Sequence, residues 1–361
     1  MKILYILDYF YPSKGGVERV FENITNHFSQ NHKIIVLTSK FSQNLPSKEV
    51  YKNITIYRIG KNRFWFTILG SFFWLKLLKD IDLIHTSTYN AAYVAKFLSF
   101  FTKAPVILTS HEIVWKNWYK FKWKIKWFFF KKIEDFIYKF NFFYVFVSQH
   151  VRNIATSSYK IKKHKVIYNW LENITFNQIK KKDLWFSEDD FLWVFAWRPG
   201  RLKWLDFLLE NFQEIKKLNP NFKLLLILLE KNNSKKLQKI SSYLNKDIKV
   251  LYEIPHQKIY DYLNLADVGI VPSRSEGFGF TALEFSTLGK STVLSFVGGI
   301  PEINFWDCHF FKPDNKKQFL KAFQEIFNWK KNNYSYNKKL TIEKMNKNYE
   351  KIYKENLESR K

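Results

Sequence analysis

Two glutamates separated by seven residues, Glu276 and Glu284, lie within the stretch Ser273 to Glu302, SRSEGFGFTALEFSTLGKSTVLSFVGGIPE. The turn Glu276-Gly277-Phe278-Gly279 follows a short apolar run, Val268 to Val271, and opens into a helical pattern that stops at Leu288-Gly289. A strand, a glycine turn and a helix start together make an anion site. The first turn of a helix offers unpaired N–H groups and the positive end of the dipole, and glycines let the backbone approach a phosphate. Glu284 falls about four residues into the helix, roughly 6 Å along its axis at ~1.5 Å per residue. That offset suits the ribose of a nucleotide whose diphosphate sits at the helix start, because a carboxylate accepts charge-assisted hydrogen bonds from two vicinal hydroxyls. Glu276 would then face the sugar end of the donor. Taken alone, a glycine turn before a helix is an ordinary capping device. Against that stands the downstream element Gly298-Gly299-Ile300-Pro301-Glu302.

Other residues fit the same chemistry less specifically. Arg198 and Lys203 follow the apolar run Phe191 to Ala196; as fixed cations they would offset charge gathering on a leaving phosphate, and as surface charges they would do nothing. Gly15-Gly16-Val17-Glu18 follows the first apolar run, where a glycine loop allows close backbone approach to a ligand. His111, in Thr109-Ser110-His111-Glu112 at the end of another run, is either a site histidine or a structural one.

With these residues in place the chain resembles the retaining glycosyltransferases of family four (glycosyl transferases group 1), which share the two-domain fold called GT-B. The spaced glutamates in EGFGFTALE and the Gly-Gly-x-Pro-Glu element carry the resemblance. It implies that Glu284 binds the donor ribose, while Glu276 with Gly277, Phe278, Gly279, Phe280 and Thr281 contacts the transferred sugar and the phosphates. It further implies that Arg198 and Lys203 hold the diphosphate, that Gly15 and Gly16 form the glycine loop of the first domain, and that His111 reaches the sugar from the other side of the cleft. Catalytic roles then fall on His111, Glu276, Arg198 and Lys203. The expected reaction is transfer with retention from a nucleotide-diphosphate sugar, without a metal or other cofactor. Three tryptophans depart from the pattern: Trp197 and Trp204 stand where the family usually has glycines, and Trp170 replaces the glycine of an Asn-Gly pair.

Apolar runs at Ile3 to Leu7, Ile34 to Leu37, Ile54 to Ile59, Leu83 to His85, Val106 to Thr109, Tyr144 to Val147 and Val166 to Tyr168 predict strands alternating with helices. The alternation restarts with Phe191 to Ala196, Lys223 to Leu229, Lys249 to Leu251, Val268 to Val271 and Ser291 to Leu294, with helical patterns at Trp204 to Leu218 and Gln257 to Leu265. The expected fold is α/β, two Rossmann-like domains facing a central cleft, each a parallel sheet covered by helices. The boundaries expected are 1–170 for an acceptor domain, 185–335 for a donor domain, and a helical tail over 336–361 that could pack across both.

At 361 residues, with 46% hydrophobic and 25% charged side chains, the chain has material for two cores. A single cysteine, Cys308, excludes an intrachain disulfide and fits a reducing, cytoplasmic setting. The formal charge of +27 implies an anionic partner, although Lys, Asn, Ile, Phe and Tyr are also the residues of AT-rich codons. Residues 115–140 hold eight Lys, two acids and twelve aromatics. Such a mixture suits either an amphipathic segment lying on an anionic membrane surface or a buried helix with a lysine-rich outer face. The first reading would place the enzyme peripherally on the inner face of the cell membrane, acting on a glycan or lipid-linked acceptor in polysaccharide or glycolipid synthesis. Two alternatives use parts of the same signal: a nucleotide-sugar epimerase or phosphorylase on the same fold, and a nucleic-acid-binding protein, which would leave the paired glutamates without a purpose.

Overall fold

The computed structural model describes residues 1–13, 15–72, 78–113, 124–170, 174–197, 202–228, 241–303, 307–327 and 340–359, with the backbone alone at 124–127, 197, 256 and 257. The chain divides into two compact units, Met1–Trp170 with Leu340–Lys361, and Leu171–Lys339.

The first unit is built on an eight-stranded sheet. Its strands are β1 (Lys2–Leu7), β2 (Lys33–Ser39), β3 (Lys48–Tyr51), β4 (Ile54–Ile59), β5 (Leu83–Ser87), β6 (Val106–Ser110), β7 (Phe143–Phe146) and β8 (His164–Val166). They lie in the order β3-β4-β2-β1-β5-β6-β7-β8, all parallel except that β3 pairs antiparallel with β4. Strands such as KIIVLTS and LIHTS are buried along nearly their whole length, as a sheet covered on both faces requires. The helices are α1 (Gly16–Phe28), α2 (Arg63–Phe72), α3 (Asn90–Thr102), α4 (Lys124–Ile137) and α5 (Gln149–Ser158). Right-handed crossovers put α1 on one face and α2 to α5 on the other, because the chain steps in the opposite direction between β1 and β2.

The second unit holds β9 (Phe191–Trp197), β10 (Phe222–Leu228), β11 (Ile248–Tyr252), β12 (Val268–Val271), β13 (Ser291–Ser295) and β14 (Cys308–Phe311), parallel throughout in the order β11-β10-β9-β12-β13-β14. Its helices are α6 (Leu205–Glu210), α7 (Phe212–Leu218), α8 (His256–Leu265), α9 (Phe280–Thr287) and α10 (Lys316–Phe327). One core packs Trp193, Phe222, Phe319 and Phe323 on one side of the sheet, and another packs Leu225, Ile227, Leu263 and Phe285 on the other. Two Rossmann-like α/β domains are therefore present. The runs expected at Val166 to Tyr168 and over Trp204 to Leu218 differ in detail: β8 begins two residues earlier, and the helical stretch breaks at Asn211 into α6 and α7. Strands β3 and β14 had no clear pattern, since KEVY is polar and half exposed and CHFF is short.

The last helix, α11 (Ile342–Glu358), packs in the first unit through a buried polar chain. The Tyr353 hydroxyl lies 3.0 Å from the Tyr5 hydroxyl and 2.6 Å from His85 Nδ1, while His85 Nε2 meets the Thr109 hydroxyl at 2.8 Å, itself 3.1 Å from the Tyr349 hydroxyl. Burial pushes the His85 imidazole down to about 3, so the ring is neutral and can accept at one nitrogen and donate at the other. Phe28 of α1 covers the Tyr353 ring at 4.6 Å. A half-satisfied buried network costs more than an apolar one, so each hydroxyl matters. Tyr353→Phe should lower stability by ~1–3 kcal/mol in urea titrations, leaving partners for Tyr5 and His85 unmade. The pH dependence has a sign as well. His85 and His111 stay unprotonated in the folded unit down to about 3, whereas unfolded imidazoles titrate near ~6.5. As pH falls below that value the unfolded chain takes protons the folded one refuses, and the denaturation midpoint should drop. Asp8, raised to about 6 by burial, offsets part of the loss.

Candidate functional site

In the second unit the chain leaves β12 at Val271 and reaches α9 through a turn that three glycines make possible. Gly269 on β12 lies so close to α9 that a Cβ there would meet the Phe285 ring at 2.3 Å, which sets the helix tight against the sheet. Gly279, the N-cap residue of α9, has φ +106, and a Cβ on it would lie 2.8 Å from Ile300 Cγ1. Gly298 has φ +58, and its Cβ would fall 1.6 Å from the Glu276 carbonyl oxygen. The next N–H, that of Gly299, donates to the same carbonyl at 3.2 Å. The Gly-Gly-Ile-Pro-Glu element thus buttresses the backbone of Glu276, and its short 3-10 turn, Ile300–Ile303, fills the space beneath Gly279.

The side chains follow from that backbone. Glu276 Oε1 accepts a hydrogen bond from the buried Ser273 hydroxyl at 2.7 Å and is in ion-pair contact with Lys203 Nζ. Glu284, 6% exposed, stands on the second turn of α9 and accepts from the Tyr260 hydroxyl of α8 at 3.4 Å. At the first turn, Thr281 is buried and its hydroxyl has no hydrogen-bond partner among the described residues. A buried hydroxyl of this kind beside a helix start can serve a bound anion as a hydrogen-bond donor. Phe278 and Phe280 meet edge to face at 5.4 Å. Lys203, Ser273, Glu276, Gly277, Phe278, Gly279, Phe280, Thr281 and Glu284 are all gathered here, whereas Arg198 lies outside the described residues.

Trp204 stands in the left-handed region at φ +54, the conformation that favours glycine. Strain of about 1–2 kcal/mol for a non-glycine residue there is offset by burial. The indole stacks on Phe207 at 3.7 Å and Arg274 lies over it at 4.6 Å. The backbone that a glycine would adopt is kept with a tryptophan. Of Trp197 only the backbone, the end of β9, is described. Trp170 is 2% exposed in the first unit, and its Nε1 lacks a hydrogen-bond partner among the described residues.

Gly15, Gly16 and His111 belong to the first unit, at the carboxyl ends of its strands, where parallel sheets place their ligands. Gly15 caps α1, and a Cβ on it would lie 2.1 Å from the Glu18 carboxylate. Gly16 is the first residue of that helix. His111 sits just after β6 with its ring edge on Phe21 at 5.8 Å, burial pushes it down to about 3, and its Nε2 has no partner among the described residues. The same edge carries Asp8, whose carboxylate accepts from the Ala91 N–H at 2.8 Å and lies 3.5 Å from Arg63 Nε.

Sequence reasoning missed Ser273, Tyr260 and Asp8. Ser273 had a usable signal, a hydroxyl three residues before an acid on a turn; Tyr260 had none, since its link to Glu284 crosses from one helix to another.

The chain matches Glycosyltransferase Family 4 over residues 14–172 and Glycosyl transferases group 1 over residues 176–341. It is 27% identical to an uncharacterized glycosyltransferase of Methanocaldococcus jannaschii, over 84% of this chain and 81% of that one. It is 28% identical to the capsular polysaccharide biosynthesis glycosyltransferase CapH of Staphylococcus aureus, over 64% of this chain and 63% of CapH. Among solved structures, sucrose-phosphate synthase from Thermosynechococcus elongatus superposes with a TM-score of 0.78 at 16% identity, covering 99% of this chain and 94% of the synthase. HepE of Anabaena in complex with UDP-glucose superposes with a TM-score of 0.73 at 15% identity, covering 98% and 100%.

The glycine contacts make a contrast that chemical denaturation can read. Gly298→Ala combines a positive φ with a Cβ 1.6 Å from backbone, and should destabilise the second unit by ~2–4 kcal/mol. Gly70→Ala on α2 meets only ordinary contacts at 3.5 Å and should be neutral or stabilising by up to ~1 kcal/mol.

Proposed function

The chain belongs to the GT-B glycosyltransferases, and we propose that it transfers a hexosyl unit with retention from a nucleotide-diphosphate sugar to an acceptor hydroxyl of a cell-envelope glycan or glycolipid. The observation that carries this reading is the set of groups around α9: the Lys203–Glu276 pair before its first turn, the buried Thr281 hydroxyl on that turn, which has no partner among the described residues, and Glu284 on the next.

Lys203 and Glu276 neutralise each other. A diphosphate offers Lys203 a second anion, and sugar hydroxyls offer Glu276 donors, so the donor can replace both halves of the pair with partners of its own. Ser273 keeps Glu276 aimed while that exchange occurs. The amino end of α9 and Thr281 take phosphate oxygens, and Glu284 takes the ribose hydroxyls. The family resemblance assigns Arg198 to the diphosphate as a further cation, and Gly15, Gly16 and His111 to the phosphates and the sugar. In the transfer itself the acceptor oxygen bonds to the anomeric carbon from the face the phosphate leaves. The bond from that carbon to the phosphate oxygen breaks, and the departing diphosphate takes the acceptor's proton. The protein positions the reactants and stabilises charge, and it needs no metal for either task.

Support for a nucleotide-sugar donor comes from HepE, solved with UDP and with UDP-glucose, and support for an envelope role from CapH, a capsular polysaccharide glycosyltransferase. The reaction is tested by thermal-shift screening against UDP-, GDP- and ADP-sugars, followed by turnover of the stabilising donor with and without acceptors. Glu284→Ala should weaken that donor roughly 10- to 100-fold, the loss of charge-assisted hydrogen bonds to two hydroxyls. Unchanged donor affinity and turnover would remove the site assignment, and an inverted product anomer seen by NMR would remove retention. Turnover that survives chelation is expected.

A further inference from the structure

One face of the first unit carries apolar side chains that its own core does not use. On α2, Phe64, Trp65, Ile68, Leu69 and Phe72 are all exposed, Phe64 and Phe72 by about two thirds (64% and 67%). Their spacing makes a single stripe along the helix. On α4, Phe128, Phe129, Ile133 and Phe136 form a matching stripe with Lys132 in line, its Nζ 5.4 Å over the Phe128 ring. Between them α3 exposes Phe100 and Phe101. The three helices share one surface, since rings touch from Phe72 to Phe97 at 5.4 Å, from Phe97 to Phe101 at 5.3 Å, and from Tyr93 to Phe136 at 6.3 Å. Scattered exposed rings are ordinary, but a continuous apolar face across three helices marks a docking surface.

Lysines outnumber acids on this face, where Asp135 stands among them. Lys96 lies 4.4 Å over Phe100, and Lys132 and Lys139 stand beside Phe136. The acids of α4 do not oppose them: Glu134 is 1% exposed, and Asp135 is paired with Lys131 at 2.6 Å and accepts from the Tyr159 hydroxyl. We propose that the α2-α3-α4 face docks on the surface of an anionic lipid bilayer, with the rings and aliphatic tips entering the boundary between headgroups and acyl chains and the lysines meeting lipid phosphates. Two features favour a bilayer over nucleic acid or a second copy of this chain. Ile68, Leu69 and Ile133 cannot stack on nucleobases, whereas a bilayer accepts any apolar side chain. A second copy of this chain would bring another +27 to the contact. The attachment is interfacial, because among the described residues no helix is long and apolar enough to cross a membrane.

This inference stands apart from the donor site and fails or survives separately. The whole protein is co-sedimented with vesicles of phosphatidylcholine alone and of phosphatidylcholine mixed with phosphatidylglycerol, at low and moderate salt. Binding is expected to the mixed vesicles only, and to weaken as salt rises. The exposed triple variant Phe72→Ser, Phe100→Ser, Phe129→Ser should lower the partition coefficient roughly tenfold or more, while donor affinity stays at the wild-type value. Wild-type protein left in the supernatant, or a triple variant that partitions unchanged, would overturn the proposal. So would wild-type protein that ignores the mixed vesicles but is retained on a single-stranded RNA oligonucleotide, or that forms dimers dispersed by the same substitutions.

Discussion

The second unit depends on a backbone contact that admits no side chain. Gly298 presses against the Glu276 carbonyl, and Gly299 donates to it. Because the chain between them includes the whole of α9 and β13, this contact fixes the start of the helix, the direction of the turn and the place of the Glu276 carboxylate together. Gly279 and Gly269 extend the same constraint, one letting Ile300 in beneath the turn and the other letting Phe285 lie against the sheet. The polar groups are consequences of that packing. Ser273, Lys203 and Tyr260 only hold two carboxylates whose positions the backbone has already set.

The first unit is held differently. Its sheet is closed on one face by α11, which brings two tyrosines to a neutral histidine in the interior. Hydrogen bonds in such surroundings are strong when complete and costly when not, which gives the carboxyl-terminal helix a single seat. The opposite face carries α2, α3 and α4, whose outer sides are more apolar than solvent exposure alone would favour. One unit therefore combines a hydrogen-bonded polar chain inside an otherwise apolar core with an apolar patch on its outer helices.

Much of this was legible in the residues. Buried parallel strands announce themselves as short apolar runs, and nearly all of them appeared where the runs stood; β3 and β14 did not, because an edge strand needs few apolar residues. The turn before α9 was legible because glycine is read for its backbone, and Gly277, Gly279, Gly298 and Gly299 stand where backbone must come close. What escaped was contact between distant elements: the hydroxyl of Tyr260 on Glu284, the Ser273 support of Glu276, the seat of α11 on His85. Periodicity says which face of an element is buried and nothing about which partner meets it. Trp204 is the instructive case, a residue whose type argues against a left-handed backbone and whose burial against Phe207 and Arg274 outweighs the local strain.

The central claim is that α9 points its amino end at a diphosphate while Glu284 holds the attached ribose. A crystal structure of the protein with the nucleoside diphosphate that most raises its thermal midpoint tests this directly. The account predicts phosphate oxygens within hydrogen-bond distance of the Phe280 and Thr281 N–H groups, the Thr281 hydroxyl and Lys203, with both ribose hydroxyls on the Glu284 carboxylate. A nucleotide bound elsewhere, or bound with its ribose turned away from Glu284 and Lys203 still on Glu276, would contradict it.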